Sequence, residues 1–154
     1  MSSQFDKGHN VPVSKMEVPG KQYKMPSPAP VNDQLPTESG GYQLYKATGK
    51  LTGKKALITG GDSGIGRAVA ILYAMEGAES IIVYKPEEEQ DAQKTKELVE
   101  RKGGEIHLIR ADLRSHETCK SVVDKTLQIM GRINILVLNH GYQMMQQSID
   151  DISE

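Results

Sequence analysis

The chain has 154 residues, a formal net charge of −1 and 25% charged residues, which suits a single domain and excludes any general attraction to nucleic acid or anionic membranes. No apolar run reaches the roughly 18 residues of a membrane span, and the N-terminus carries no hydrophobic segment of the signal-peptide kind. Cys119 is the single cysteine, so no internal disulfide can form, and a reduced, cytoplasmic setting is the expectation.

Six of the seven prolines (Pro12, Pro19, Pro26, Pro28, Pro30 and Pro36) fall in the first 36 residues, which lack periodic apolar positions. Residues 1–50 therefore read as an extended or disordered arm. It is either a solvated tail or a segment that packs on its own domain or a neighbouring subunit, with Tyr23, Met25, Tyr42, Leu44 and Tyr45 as anchors.

From Lys54 the pattern alternates. KALIT (55–59) is a short apolar run ending in glycines, as a buried parallel strand should be. Residues 65–76 carry Ile65, Val69, Leu72, Tyr73 and Met75 at near-helical spacing, with Gly77 as the stop. SIIVY (80–84) is a second strand. Pro86 followed by Glu87, Glu88 and Glu89 marks a helix start, with acids facing the positive end of the dipole, and that helix runs to about Lys102 before Gly103-Gly104. EIHLIR (105–110) is a third strand, Ser115 caps a helix reaching about Met130 before Gly131, and INILVLN (133–139) is a fourth strand. IDDISE (149–154) reads as the approach to a further helix, with Ser153 as its cap. The expected fold is α/β: a Rossmann-like parallel sheet of about four strands with flanking helices, over residues 51–154. A fourth strand with an unpaired apolar edge (Ile133, Ile135, Leu136, Val137, Leu138) predicts marginal stability or dependence on a partner.

The segment Thr59-Gly60-Gly61-Asp62-Ser63-Gly64-Ile65-Gly66 follows a strand and opens a helix, which is the context of a dinucleotide fingerprint. Gly60 makes the tight turn, Gly64 allows the backbone to approach a pyrophosphate, and Gly66 allows close helix–strand packing, while the helix-start amides hold the phosphates. The spacing is G-x-x-x-G-x-G, and T-G-x-x-x-G-I-G resembles the signature of the classical short-chain dehydrogenases/reductases. LTGKKALITGGDSGIGRAVA, YKPEEEQDAQ and the proline-rich arm are similar to one subgroup, the bacterial and fungal oxidoreductases with such an arm and the plant glucose and ribitol dehydrogenase homologues. The resemblance covers about residues 17–154.

That resemblance implies roles for particular positions. Gly60, Asp62, Ser63, Gly64, Ile65 and Gly66 match the pyrophosphate-binding turn, Asp112 and Leu113 the pair that sits against adenine, and Asn139 and Gly141 the tail of the N-N-A-G segment. Leu138 and His140 depart from that segment: the leucine gives up a hydrogen bond across the sheet, and the histidine adds bulk beside the cofactor. His140 reads as a partly exposed loop residue, since no motif places a carboxylate or serine beside it. An acidic residue after the second strand would select NAD. Tyr84-Lys85 stands there instead, and Lys85 is suited to a 2′-phosphate, with Arg67 as a possible helper, so NADP is expected over NAD.

The family's activity is reduction of a carbonyl or oxidation of an alcohol, here on a sugar, polyol or aldehyde. It uses a serine, a tyrosine and a lysine four residues after it, on elements expected beyond Glu154. Tyr42 and Lys46 form a Y-x-x-x-K only by chance, ahead of the first strand. The expectations are thus no catalytic residue and no metal ligand in this chain, and weak or no turnover. The partners expected are a nicotinamide dinucleotide, a small carbonyl or alcohol substrate in full-length relatives, and a homo-oligomer. The alternative function is a catalytically inactive nucleotide-binding or interaction module.

Overall fold

The computed structural model describes residues 21–24, 33–141 and 148. Met25 and the expected helix approach at 149–154 lie outside the described residues. Among the described residues no helix is long and apolar enough to cross a membrane.

Two short strands, β1 (Gln34–Pro36) and β2 (Tyr42–Leu44), pair antiparallel ahead of the main sheet. There follow β3 (Lys55–Thr59), α1 (Gly64–Met75), β4 (Glu79–Tyr84), α2 (Glu89–Arg101), β5 (Ile106–Arg110), α3 (His116–Met130) and β6 (Ile135–Leu138). The main sheet is parallel with order β5-β4-β3-β6. After β3 the chain steps outward through β4 and β5, then returns to the other side of β3. A topological switch point therefore lies between β3 and β6.

The elements start and stop where local chemistry directs. The Ser115 side chain accepts the Thr118 N–H at the head of α3, and Gly131 ends that helix in the left-handed conformation. The helix signalled by Pro86 opens as a single 3₁₀ turn, Pro86–Glu88, before α2 proper.

Side-chain alternation along the strands feeds two cores. Ala56, Ile58, Ile82 and Tyr84 pack with Ala70, Ile71, Ala92 and Val99 beneath α1 and α2. On the other face Leu57, Ile81, Val83 and Ile109 pack against Val122 and Met130 of α3. That second face is incompletely covered over β6, where Leu136 is 55% and Leu138 73% exposed. Among the described residues no strand pairs with the outer edge of β6. An apolar open edge templates further pairing, so the purified polypeptide is expected to self-associate with rising concentration. Sedimentation velocity on Leu138→Lys should show a shift toward monomer. Identical profiles for the two proteins would refute the edge as the cause.

The N-terminal segment meets the domain at Glu76, the C-terminal cap of α1. Its carboxylate receives the Tyr45 hydroxyl, the Lys50 N–H at 2.7 Å and the Thr48 N–H at 3.2 Å. Tyr23, Tyr42 and Leu44 remain largely exposed. These donors, Tyr45 first, hold the Glu76 carboxyl below its usual range. At the end of α2 nearest β4, the Glu89 carboxylate receives Gln93, Arg110 and the buried Tyr84, and is lowered from 4.5 to about 2. A carboxylate depressed by folding contributes stability that is present above its unfolded pKa and lost as pH falls through its folded pKa. For Glu89 that window runs from 4.5 down to about 2. The urea midpoint should therefore fall across this window, and Glu89→Gln should flatten the slope. An unchanged slope would remove Glu89 from the account.

Candidate functional site

A cleft of about 690 Å³ opens at the carboxyl ends of the parallel strands. Each strand contributes the residues that follow it: Gly60, Asp62 and Ser63 after β3, Lys85 and Glu88 after β4, Ala111 to Arg114 after β5, and Asn139 to Gly141 after β6. This is where open parallel sheets place their ligands, because strand order reverses there and the loops diverge.

The glycine turn is braced from several sides. Gly60 donates its N–H to the Val83 carbonyl at 2.8 Å, and its own carbonyl accepts the Asn139 side-chain amide at 2.9 Å. A Cβ on Gly66 would stand 2.0 Å from that carbonyl oxygen, so α1 can meet β3 this closely only through glycine. Gly64 faces open space but adopts a φ of +52°, a backbone region costly for side chains bearing a Cβ. Gly61, to which the motif gives no role, is needed because a Cβ would meet the Ile82 side chain at 2.3 Å.

At the head of α1 the Gly64 N–H is taken by Gln22 at 2.7 Å and the Arg67 N–H by the Ser63 carbonyl. The N–H groups of Ile65 and Gly66 have no partner among the described residues, while the Ile65 side chain is 75% exposed. Unpaired amides with the positive end of the helix dipole are suited to an anion.

Of the residues singled out in the sequence, Gly60, Asp62, Ser63, Tyr84, Lys85, Asp112, Leu113, Asn139 and Gly141 line the cleft. Gly64, Ile65 and Gly66 form the helix start that follows Ser63 and are not among the residues lining the cleft. The Tyr84 ring is turned into the core, and its hydroxyl bonds Glu89. The Asp112 carboxylate is held by the Arg114 side chain and backbone N–H, which lower its pKa. His140 is exposed, and its Nδ1 meets the Thr59 hydroxyl at 2.7 Å. The Thr59 hydroxyl, which also accepts the Asn139 N–H at 3.1 Å, bridges β3 to the segment after β6 beside Leu138.

Arg67 does not reach this cleft. It is 5% exposed and points beneath the turn. There it donates to the Asp62 carbonyl at 2.6 Å, to the Asp91 carboxylate at 2.8 Å and to the Thr95 hydroxyl at 2.8 Å. Its expected help with a phosphate is thereby corrected: the guanidinium is committed to internal partners.

Two cleft carboxyls were invisible as a pair in the sequence. Burial, chiefly, pushes Asp62 up, and burial followed by the charge of Asp62 pushes Glu88 up. Glu88 reaches the cleft because its carboxylate accepts the Lys85 N–H at 3.2 Å while its own N–H donates to the Lys85 carbonyl.

The fold and cleft define an open parallel α/β domain of the dinucleotide-binding type. A family model for the short chain dehydrogenases matches residues 54–154, and the chain belongs to that family. General stress protein 39 of Bacillus subtilis is 47% identical over 135 residues, 88% of this chain and 44% of that protein. NADPH-dependent aldehyde reductase 1, chloroplastic, of Arabidopsis thaliana is 42% identical over 87% of this chain and 48% of its own length. Glucose and ribitol dehydrogenase homolog 2 of the same plant is 41% identical, with 88% and 48% covered. Among solved structures, carveol dehydrogenase from Mycobacterium avium in complex with NAD superposes with a TM-score of 0.60 at 31% identity, covering 70% of this chain and 42% of that one. A short chain dehydrogenase from Burkholderia cenocepacia J2315 in complex with NADP gives 0.61 at 35% identity, covering 68% and 42%. The chain spans less than half the length of these relatives.

Proposed function

We propose that this cytoplasmic chain holds NADP, in preference to NAD, for an oxidoreductase that interconverts a carbonyl and an alcohol on a sugar, polyol or aldehyde. The observation that carries the reading is Lys85 at the end of β4, facing the same cleft as the glycine turn. An ammonium there suits a 2′-phosphate, and the similarity to an NADPH-dependent aldehyde reductase supports it. The cradle suits a dinucleotide: the close approach at Gly66 leaves no room for a side chain, and the Ile65 and Gly66 amides suit a pyrophosphate. When bound, the nicotinamide would donate or accept hydride. The chain's own residues bind and orient: Lys85 pairs with phosphate, Asp112 and Leu113 flank the adenine, and Asn139 keeps Gly60 in place.

NAD is the second reading, and Glu88 with Asp62 favours it, because carboxylates beside Lys85 oppose a 2′-phosphate. Titration of NADPH and NADH fluorescence decides between them. NADPH should bind the more tightly, and Lys85→Glu should weaken NADPH by about tenfold, ~1.4 kcal/mol, with little change for NADH. Equal loss for both would remove Lys85 from phosphate recognition.

Residues 139–154 contain no serine, tyrosine and lysine set for proton transfer. The 154-residue polypeptide is therefore proposed to bind without turnover, and oxidation of NADPH by any aldehyde in its presence would refute this. The exposed Leu136 and Leu138 favour an interaction module that assembles with full-length relatives as the alternative role.

A further inference from the structure

Gln22 belongs to a single 3₁₀ turn, Gln22–Lys24, far ahead of the domain in sequence, yet it is only 8% exposed. That turn packs against α2. Its side-chain oxygen accepts the N–H of Gly64 at 2.7 Å, across 42 residues. Ser63 occupies the N-cap position of α1, but its side chain makes no capping bond. The first amide of the helix is thus capped by the N-terminal segment.

Gly64 has reason to need such an anchor. Beyond its chain neighbours and its own helix backbone, nothing packs within 4 Å of the position a Cβ would take, and glycine has the widest backbone freedom of any residue, so the Gln22 bond is the contact that ties its N–H. The adjoining amides, Ile65 and Gly66, are the ones left open for an anion. Neither Gln22 nor Gly64 is among the residues lining the cleft, so Gln22 acts on the turn and not on the space within the cleft.

We infer that Gln22 is a positioning residue that sets the amides of the glycine turn for the pyrophosphate, so that the N-terminal segment contributes to dinucleotide affinity. This rests on the dinucleotide reading above. Because the pyrophosphate is common to both dinucleotides, loss of the anchor should affect NADPH and NADH alike, unlike a change at Lys85.

The test uses the full 154-residue chain. Gln22→Met keeps length and loses the acceptor, and it should weaken NADPH and NADH equally by about five- to tenfold, the scale of one hydrogen bond. Amide exchange at Gly64, measured without dinucleotide, should accelerate in the same variant. Gln22→Glu retains an acceptor oxygen and should restore protection at Gly64, while its negative charge beside the pyrophosphate leaves affinity for both dinucleotides reduced. Gln22→Ala gives the same readouts if methionine perturbs the packing. Wild-type affinity for both dinucleotides in Gln22→Met, or unchanged exchange at Gly64, overturns the inference. Failure of the wild type to bind either dinucleotide overturns the dinucleotide reading itself, and with it this role of Gln22.

Discussion

Replacing Arg67 with alanine is expected to destabilise the protein by about 3–5 kcal/mol, the cost of leaving one member of a buried ion pair behind. The guanidinium is almost wholly enclosed, and its partner Asp91 is 2% exposed. Removing the arginine leaves that carboxylate without its cation. It also takes two donors from the Asp62 carbonyl, which would keep only the Thr95 hydroxyl at 2.7 Å. The same bonds tie the glycine turn to α2, so dinucleotide affinity should fall together with stability. Urea denaturation at neutral pH measures the first effect. The combined substitution Arg67→Met with Asp91→Leu separates pair from packing, since replacing both charges by apolar groups removes the uncompensated carboxylate. It should recover most of the loss. A single-variant cost under about 1 kcal/mol, as for an exposed ion pair, would mean that water reaches Asp91 and that the network is not closed.

The second large effect is expected at Gly66. Gly66→Ala places a Cβ 2.0 Å from the Gly60 carbonyl oxygen and 2.7 Å from the Asn139 amide nitrogen. Neither neighbour can yield cheaply: one is backbone, and the other is already bonded to that same carbonyl. The helix must therefore move away from β3, at a cost of about 1–3 kcal/mol or more, as for overpacked cores. The turn that would hold the pyrophosphate moves with it, and NADPH affinity should drop by tenfold or more, at ~1.4 kcal/mol per decade. Gly64→Ala is the comparison. There the space is open and the strain lies in a φ of +52° alone, worth about 1–2 kcal/mol. Thermal melts should rank Gly66→Ala below Gly64→Ala. The reverse order would mean that backbone conformation, not helix–strand contact, sets the requirement for glycine in this motif.

The order of strands and helices was legible because it depends on local spacing. The apolar run at 55–59 before Gly60, the Ser115 cap and the Gly131 stop each act within a few residues of chain. Those signals do not require knowledge of what lies across the sheet. The switch point followed in part, since strand–helix alternation implies parallel pairing. That β6 returns beside β3 rather than extending past β5 is read from the register of Leu57 with Leu136.

Arg67 shows where local reading fails. A basic residue one step past the last glycine of a phosphate-binding motif is placed by sequence near the phosphates, but helical geometry turns it to the opposite side, into Asp91 and Thr95. Glu88 shows the converse. Among three consecutive glutamates it looks like one more helix-start acid, and only the 3₁₀ turn at Pro86–Glu88 brings it into the cleft near Asp62.

The sequence by itself determined the α/β alternation, the glycine turn and the family, because periodicity, caps and φ preferences are properties of neighbouring residues. Tertiary structure alone decided that Gln22 caps Gly64, that Glu76 gathers Tyr45 and the Lys50 amide, and that Arg67 closes on Asp91. Each of those contacts joins residues 24 to 42 positions apart. Such pairs meet only once the crossovers have folded back on the sheet and the remaining directions have been closed by packing.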